Sequence, residues 1–298
     1  MAEFSCNIII PFYKQRAYLE RLIANLQECY LPYVSVFSLE VIIVNDSPEI
    51  AVQAFEFLSE NQLNFSLQLI QHAKNLGVAI ARETALKQAK ADWIMLLDQD
   101  DALQTKVFDV LVDAHKRQID FALMNGFLIH ASPKLKFPIY FFEPSLTLKN
   151  LIVDDFIRSP GQVFFRRELT AKLSYPKPHS YKGCDDRFLW IQLFLLNPNL
   201  RTKYYEAKHY LGHIHGENAG LDVSKLYKCS QDLWEQLSAF DFGSNQIFVE
   251  KNKQVLRFIL QQESSLAARI SYLQYKYRLN RFLRYLVKLL VRYIKLYK

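Results

Sequence analysis

Asp92-Trp93-Ile94-Met95-Leu96-Leu97-Asp98-Gln99-Asp100-Asp101 runs five large apolar residues straight into three carboxylates. The run is short, bounded and without polar alternation, so it reads as a strand buried on both faces of an α/β sheet. A strand of that kind delivers its last residues to the carboxyl edge of the sheet, where ligands of open α/β folds bind. Asp98, Asp100 and Asp101 would crowd there. Like charges so close raise one another's pKa unless something positive sits among them. A divalent cation would satisfy them, and Mg²⁺ or Mn²⁺ accepts one or two carboxylates together with phosphate oxygens. An acidic turn is the plain alternative for the same text.

The text before this stretch repeats one pattern. Cys6 to Tyr13 is a β-branched run broken by Pro11, a first strand. Leu19, Leu22, Ile23 and Leu26 follow at helical spacing. Leu39 to Val44 is a second strand that ends in Asn45-Asp46-Ser47-Pro48, and a helix is expected from Ala51 to about Glu60. Phe65 to Ile70 is a third strand, Asn75-Leu76-Gly77 a turn, and Val78, Ala81, Ala85 and Ala89 the small-residue face of a helix. The order β-α-β-α-β-α-β implies a mainly parallel sheet with right-handed crossovers. Three strand ends with ligand-competent residues then share one edge: Pro11 and Tyr13, Asp46, and Asp98 with Asp100. Neither G-x-G-x-x-G after the first strand nor a G-x-x-x-x-G-K-[ST] loop is present.

The 298 residues are 50% hydrophobic and 22% charged, which is the composition of a globular chain with a proper core. No apolar run approaches the roughly 20 residues of a spanning helix. Glu3 precedes a short apolar run stopped by Pro11, so no leader is expected and a cytoplasmic protein is the default. Cys6, Cys29, Cys184 and Cys229 are scattered, which speaks against a zinc site or a disulfide framework. Of 37 Lys and Arg, nine fall between Leu266 and Lys298, where there is no Asp or Glu. The preceding 265 residues hold 28 basic and 30 acidic side chains. A near-neutral body with a basic tail points to an anionic surface.

Taken together, Pro11-Phe12-Tyr13, Asn45-Asp46-Ser47, Asn75-Leu76-Gly77 with Ala81-Arg82, and Leu97-Asp98-Gln99-Asp100-Asp101 resemble the N-terminal half of the family 2 glycosyltransferases. The resemblance implies a GT-A fold, inversion at the transferred sugar, and a nucleotide-sugar donor, UDP-linked in most of the family. It implies that Asp46 binds the nucleobase beside Pro11 and Tyr13, that Arg82 and Gln99 lie near the donor, that Asp98 meets the ribose or the metal, and that Asp100 holds Mg²⁺ or Mn²⁺ on the diphosphate. The usual family text after the second strand is Asp-Asp-Gly-Ser; here it is Asn45-Asp46-Ser47-Pro48. Lys14 stands where the family often has Asn. Asp46 as an Asx-turn residue and Arg82 as a surface helix residue are the plain readings.

Further on, Ser159 to Arg167, with Gln162 inside it, is similar to the family's strand at the sugar site, or is an ordinary strand after a Pro-Gly turn. Phe137 to Phe142 looks loop-like. Asp185 and Asp186 begin an apolar helix, where the macrodipole alone would favour carboxylates. The family has Glu-Asp at this place, so the resemblance makes Asp186 the catalytic base and Asp185 a shortened Glu. His213-Ile214-His215 matches Arg-x-His of the family. On that match His215 is a metal or diphosphate ligand and His213 a weaker positive group, with Asp101 as a further supporting carboxylate. Two structural histidines are the alternative.

Residues 1–222 are thus expected as the GT-A unit, with a nucleotide-binding half at 1–125 and an acceptor and catalytic half at 126–222. Residues 223–298 are expected as a helical extension, with helices near 225–240 and 247–262. Arg281, Arg284, Lys288, Arg292 and Lys295 would form one basic helical stripe suited to the inner face of an anionic membrane. Nucleic acid is not expected, since no recognition module accompanies the charge. The acceptor would be a hydroxyl of a glycan or glycolipid. A nucleotidyltransferase on a similar sheet and a non-catalytic sugar- or membrane-binding protein are the rival classes.

Overall fold

Ile8, Ile9 and Ile10 have no exposed surface at the centre of β1 (Phe4–Phe12). Each such side chain contributes roughly 1.5–3 kcal/mol of burial relative to water. The computed structural model describes residues 2–51, 55, 62–130, 135–175, 184–214 and 223–261. β2 (Phe37–Asn45) and β4 (Trp93–Leu96) flank β1 in parallel, and β3 (Ser66–Gln71) adds outside β2. β4 is buried at every position, as its uninterrupted apolar text requires. α1 (Arg16–Tyr30) buries the expected Leu19, Leu22, Ile23 and Leu26. α2 (Val78–Gln88) lies on β1 and β2. The chain moves from β1 outward to β3, then crosses back to place β4 on the other side of β1. The cleft of such a sheet opens at that reversal, above the carboxyl ends of β1 and β4.

After residue 97 the sheet changes character. β5 (Ala102–Leu103), α3 (Val107–Lys116), β6 (Phe121–His130), β7 (Leu135–Pro138), α4 (Leu148–Asp154), β8 (Val163–Arg166), α5 (Asp185–Leu196) and β9 (Thr202–Ile214) follow. The order across the sheet is β3-β2-β1-β4-β8-β6-β9-β5, with β7 on β6. β8 is antiparallel to both β4 and β6, β5 to β9, and β7 to β6, while β6 and β9 are parallel. The parallel expectation holds for the first four strands, and the sheet as a whole is mixed. The loop-like expectation for Phe137 to Phe142 is corrected at its start: Phe137 and Pro138 close β7, at the sheet edge where proline is tolerated.

α5 is apolar on nearly all faces and is correspondingly buried, from Phe188 through Phe194. Beyond residue 222, α6 (Val223–Gln236) and α7 (Gln246–Gln261) match the expected helices. Leu233, Trp234, Leu237, Phe242, Val249 and Leu256 join the same core as the sheet. Asn252 donates to Ile152 O (2.5 Å), and the Arg187 guanidinium lies over the Trp234 ring (5.4 Å). These helices therefore brace α4 and α5. No helix of the described residues is long and apolar enough to cross a membrane. The basic stripe at 281–295 and most of the helix expected at 51–60 lie outside the described residues.

Candidate active site

Eleven of the thirteen expected positions line one cleft of roughly 710 Å³ at the carboxyl edge of the sheet. Pro11 and Tyr13 come from the end of β1, Asp46 from the end of β2, and Arg82 from α2. Asp98, Gln99, Asp100 and Asp101 come from the turn after β4, Asp185 and Asp186 from the start of α5, and His213 from β9. His215 lies outside the described residues. Gln162, expected as a supporting residue, stands behind the cleft. Its carboxamide faces backbone: Oε1 accepts from the amides of Arg158 (3.0 Å) and Ser159 (3.1 Å), and Nε2 donates to Met124 O (3.0 Å). It holds the loop that puts Arg158 and Ser159 at the cleft rather than lining the cleft itself.

The turn after β4 is laced to the end of β1. Gln99 Oε1 accepts from Tyr13 N and Gln99 Nε2 donates to Tyr13 O, both at 2.9 Å. The Tyr13 ring is left 42% exposed at the cleft mouth, with Lys14 Nζ 4.9 Å from its centroid. Lys14 adopts φ 59° and donates its amide to Ser47 Oγ (2.8 Å). Asn tolerates that left-handed backbone at lower cost than Lys. Lys14→Asn is accordingly expected to stabilise the fold by roughly 0.5–1 kcal/mol. Urea denaturation of the two proteins checks this, and a lower midpoint for the variant would contradict it.

The Asx turn after β2 is made by Asn45, whose Oδ1 accepts from Ser47 N (3.0 Å), and not by Asp46. Asp46 reaches across to the next connection. Its Oδ1 accepts from Leu76 N (2.8 Å) and meets His72 Nδ1 (2.8 Å), and its Oδ2 accepts from Gly77 N (2.7 Å). Gly77, at φ 87°, is the N-cap of α2, a backbone conformation suited to glycine. Asp46 thus fixes the start of the helix that carries Arg82. His72 was not anticipated. It sits one residue past β3, and its Nε2 lies 3.0 Å from Thr84 Oγ1 on α2.

Arg82 is buried, not a surface residue, and it bridges the two halves of the cleft. Nη1 donates to Asp185 Oδ2 and Nη2 to Asp98 Oδ1, both at 2.5 Å. Burial opposes its charge, but Asp185, Asp98 and Asp186 outweigh that and hold it firmly protonated. Asp98 is held above the usual carboxylate range by burial and by Asp100, with Arg82 pulling the other way. Asp186 accepts the amide of Arg187 on Oδ1 (2.8 Å). Burial, then Asp185, and more weakly Asp155, push it up to about 7 against the pull of Arg82. Its place in the first turn of α5 keeps the carboxyl group rigid at the cleft wall.

Asp101 is buried behind Asp98 and Asp100. Tyr210 Oη donates to its Oδ2 (2.5 Å) and His213 N to its Oδ1 (3.2 Å). Burial and the two neighbouring carboxylates hold it well above its ordinary range despite those donors. Asp101 therefore ties the acidic turn to β9 at Tyr210 and His213. Two further cleft residues were missed by sequence reasoning. Asp155 stands at φ 42° after α4, about a third exposed, with Oδ1 3.7 Å from Arg187 Nε. That oxygen has no hydrogen-bond partner among the described residues. Arg158 is exposed on the same wall. Asp155 follows Asp154 in the text with no spacing signal; only its left-handed backbone marks it out.

Among the described residues no three His, Cys, Asp or Glu side chains form a metal cage. The oxygens present are those of a turn that offers a hard cation one or two carboxylates at most. The chain is 23% identical over 239 residues to the poly(ribitol-phosphate) beta-N-acetylglucosaminyltransferase TarS of Staphylococcus aureus, covering 79% of this chain and 39% of TarS. It is 27% identical over 174 residues to the uncharacterized glycosyltransferase EpsJ of Bacillus subtilis, covering 55% of this chain and 48% of EpsJ. It thus spans less than half the length of these curated relatives. Residues 1–349 of S. aureus TarS in complex with UDP-GlcNAc superpose with a TM-score of 0.65 at 16% identity, over 91% of this chain and 81% of that one. The mannosyltransferase PcManGT of Pyrobaculum calidifontis in complex with GDP-Man and Mn²⁺ gives 0.55 at 14%, over 89% and 77%. At such identities the likeness carries the fold, which is the expected GT-A arrangement. The profile of Glycosyl transferase family 2 matches residues 7–174, more than half of the chain, from within β1 through β8, so the chain belongs to that family.

Proposed function

We propose that this chain moves a sugar from a UDP-linked donor to a hydroxyl of a glycan or lipid-linked acceptor, with inversion at the anomeric carbon. The observation that carries the reading is Asp186. A carboxyl group whose proton leaves near pH 7 is held rigidly at the cleft wall, while Arg82 ties the neighbouring Asp185 to the strand-end carboxylates. A general base works best when its pKa lies near the working pH. The acceptor hydroxyl binds against Asp186, which takes its proton as the oxygen attacks the anomeric carbon. The nucleotide lies over the ends of β1 and β2, where Tyr13 offers a ring face and Asp46 an edge to the base.

Asp100, with His215 beyond the described residues, would hold Mg²⁺ or Mn²⁺. When bound, that cation supplies positive charge to the departing diphosphate. Oxygen donors on a strand-end turn suit either cation, since both bind chiefly through phosphate oxygens and one or two carboxylates. Arg158 extends into the same cleft as a second positive group. The TarS name and its UDP-GlcNAc complex make UDP-N-acetylhexosamine the first donor to try.

The test is nucleotide-sugar binding followed by turnover. UDP-GlcNAc at about 100 times its Kd, with Mn²⁺, is expected to add about 2.7 kcal/mol of stability. For a chain of this size that is a rise of about 4 °C in Tm. UDP release should follow when acceptor is supplied. If no UDP- or GDP-sugar shifts Tm or is turned over, the transferase reading fails.

A further inference from the structure

A second groove, of roughly 580 Å³, opens beside the cleft between β6, the segment after β7, and β9. Its walls are Tyr140, Phe142 and Glu143 on one side and Tyr204, Glu206 and Lys208 on the other. A β-bulge makes the second wall: Tyr205 pairs with Met124 but Lys208 with Asn125, so Glu206 and Ala207 are pushed out of register. Bulges of this kind re-aim side chains next to binding sites.

The groove is rigid. Asn125 is buried at its floor, donating to Tyr140 O (3.0 Å) and accepting from Tyr140 N (3.0 Å) and Gly126 N (2.8 Å). The Tyr140 ring meets Tyr204 edge-on at 5.8 Å, and its hydroxyl donates to Phe156 O (2.5 Å). Phe156 immediately precedes Ile157 and Arg158 of the cleft wall, and Gly126 packs against Tyr210 of the cleft floor. Strands β6 and β9 therefore line both cavities. Phe142 nevertheless leaves 59% of its surface in water, and nothing in the core accounts for it. Glu206 and Glu143 line the groove together with Tyr204, and burial and these carboxylates push the Tyr204 hydroxyl up to about 12.

We propose that this groove binds a neutral polyhydroxylated chain, the part of the acceptor glycan that lies beyond the reacting hydroxyl. Exposed aromatic faces cover the C–H faces of sugar rings, and carboxylates accept pairs of hydroxyls. Two carboxylates against one ammonium disfavour an anionic polymer. Volume and lining fit a few sugar units. The link to the acceptor rests on the transferase reading above; the groove's sugar chemistry does not.

The test is calorimetric titration of the full chain with chitohexaose and maltohexaose as neutral probes, and with a ribitol-phosphate hexamer as the anionic one. A neutral hexasaccharide is expected to bind, and Phe142→Ala and Glu206→Gln should each weaken it at least about fivefold. Both side chains are exposed, so the variants fold, and their affinity for UDP should match that of the parent. No neutral binding, equal binding by parent and variants, or binding of the anionic probe alone would overturn the proposal. Absence of binding or turnover with every UDP- and GDP-sugar in the parent, with variant-sensitive hexasaccharide binding intact, would reject the nucleotide-sugar reading and keep the groove.

Discussion

Asp186→Asn is expected to lower the rate of glycosyl transfer by on the order of 10²–10⁴-fold, the usual contribution of a general base. The same change should make the folded protein more stable above pH 7. Both effects follow from one environment. Asp185 on its own helix, Asp155 from the end of α4 and burial raise the carboxyl group to about 7, with Arg82 of α2 and the Arg187 amide pulling down. A base must be deprotonated to act, so kcat/KM should rise with pH through about 7 and flatten above it. Removing one raising charge with Asp155→Asn should move that acid limb to lower pH, which a purely structural role for Asp155 would not do. For stability the sign is the reverse of the usual Asp case. In the unfolded chain Asp186 ionises near 3.8, and in the folded chain near 7. Ionisation therefore disfavours the fold progressively as pH rises between those values, and fully above 7. Asn carries no such charge, and its gain at pH 8 is on the order of 1–3 kcal/mol, vanishing toward pH 4. Thermal unfolding of both proteins at pH 5 and 8, alongside the pH profile of transfer, measures this. An Asp186→Asn protein that transfers at the parental rate would remove Asp186 from the chemistry.

The strand ends were legible because strands announce themselves by apolar runs and end where polarity begins. Ile8 to Ile10, Val41 to Val44 and Trp93 to Leu97 each lead to a cleft residue, and the parallel order followed from the helices between them. What the text does not carry is how a side chain is used. Gln99 is where a donor contact was expected, yet its amide is bound to the Tyr13 backbone. Asp46 lines the cleft but also caps α2 from 30 residues away. Such pairings depend on three-dimensional closeness between loops, and a periodicity argument sees only neighbours along the chain. The second half was harder for a related reason. β8 is antiparallel to its neighbours and β6 and β9 slip register, so no repeated β-α unit marks them. Asp155 and His72 stand in runs with no motif at all.

Arg82 was expected near the donor, and the structure gives it a larger part. Arg82→Ala is expected to destabilise the protein by about 3–5 kcal/mol, the cost of leaving buried charges without their partner. Asp185 is 8% exposed and Asp98 33%, and Arg82 is the ion-pair partner of both among the described residues. The loss should be evident at pH 8, where the stranded carboxylates lack their cation. Arg82→Lys should recover only part of the difference, because one ammonium cannot reproduce the two-pronged fork that spans α5 and the turn after β4. A neutral set, Arg82→Met with Asp98→Asn and Asp185→Asn, should recover stability but not transfer, since removing all three charges together leaves none stranded. Denaturant midpoints for the single and triple variants at pH 8 separate these terms. A single Arg82→Ala protein as stable as its parent at pH 8 would mean that the bridge does not hold the cleft together. Transfer by the triple variant at the parental rate would mean that its charges serve the fold alone.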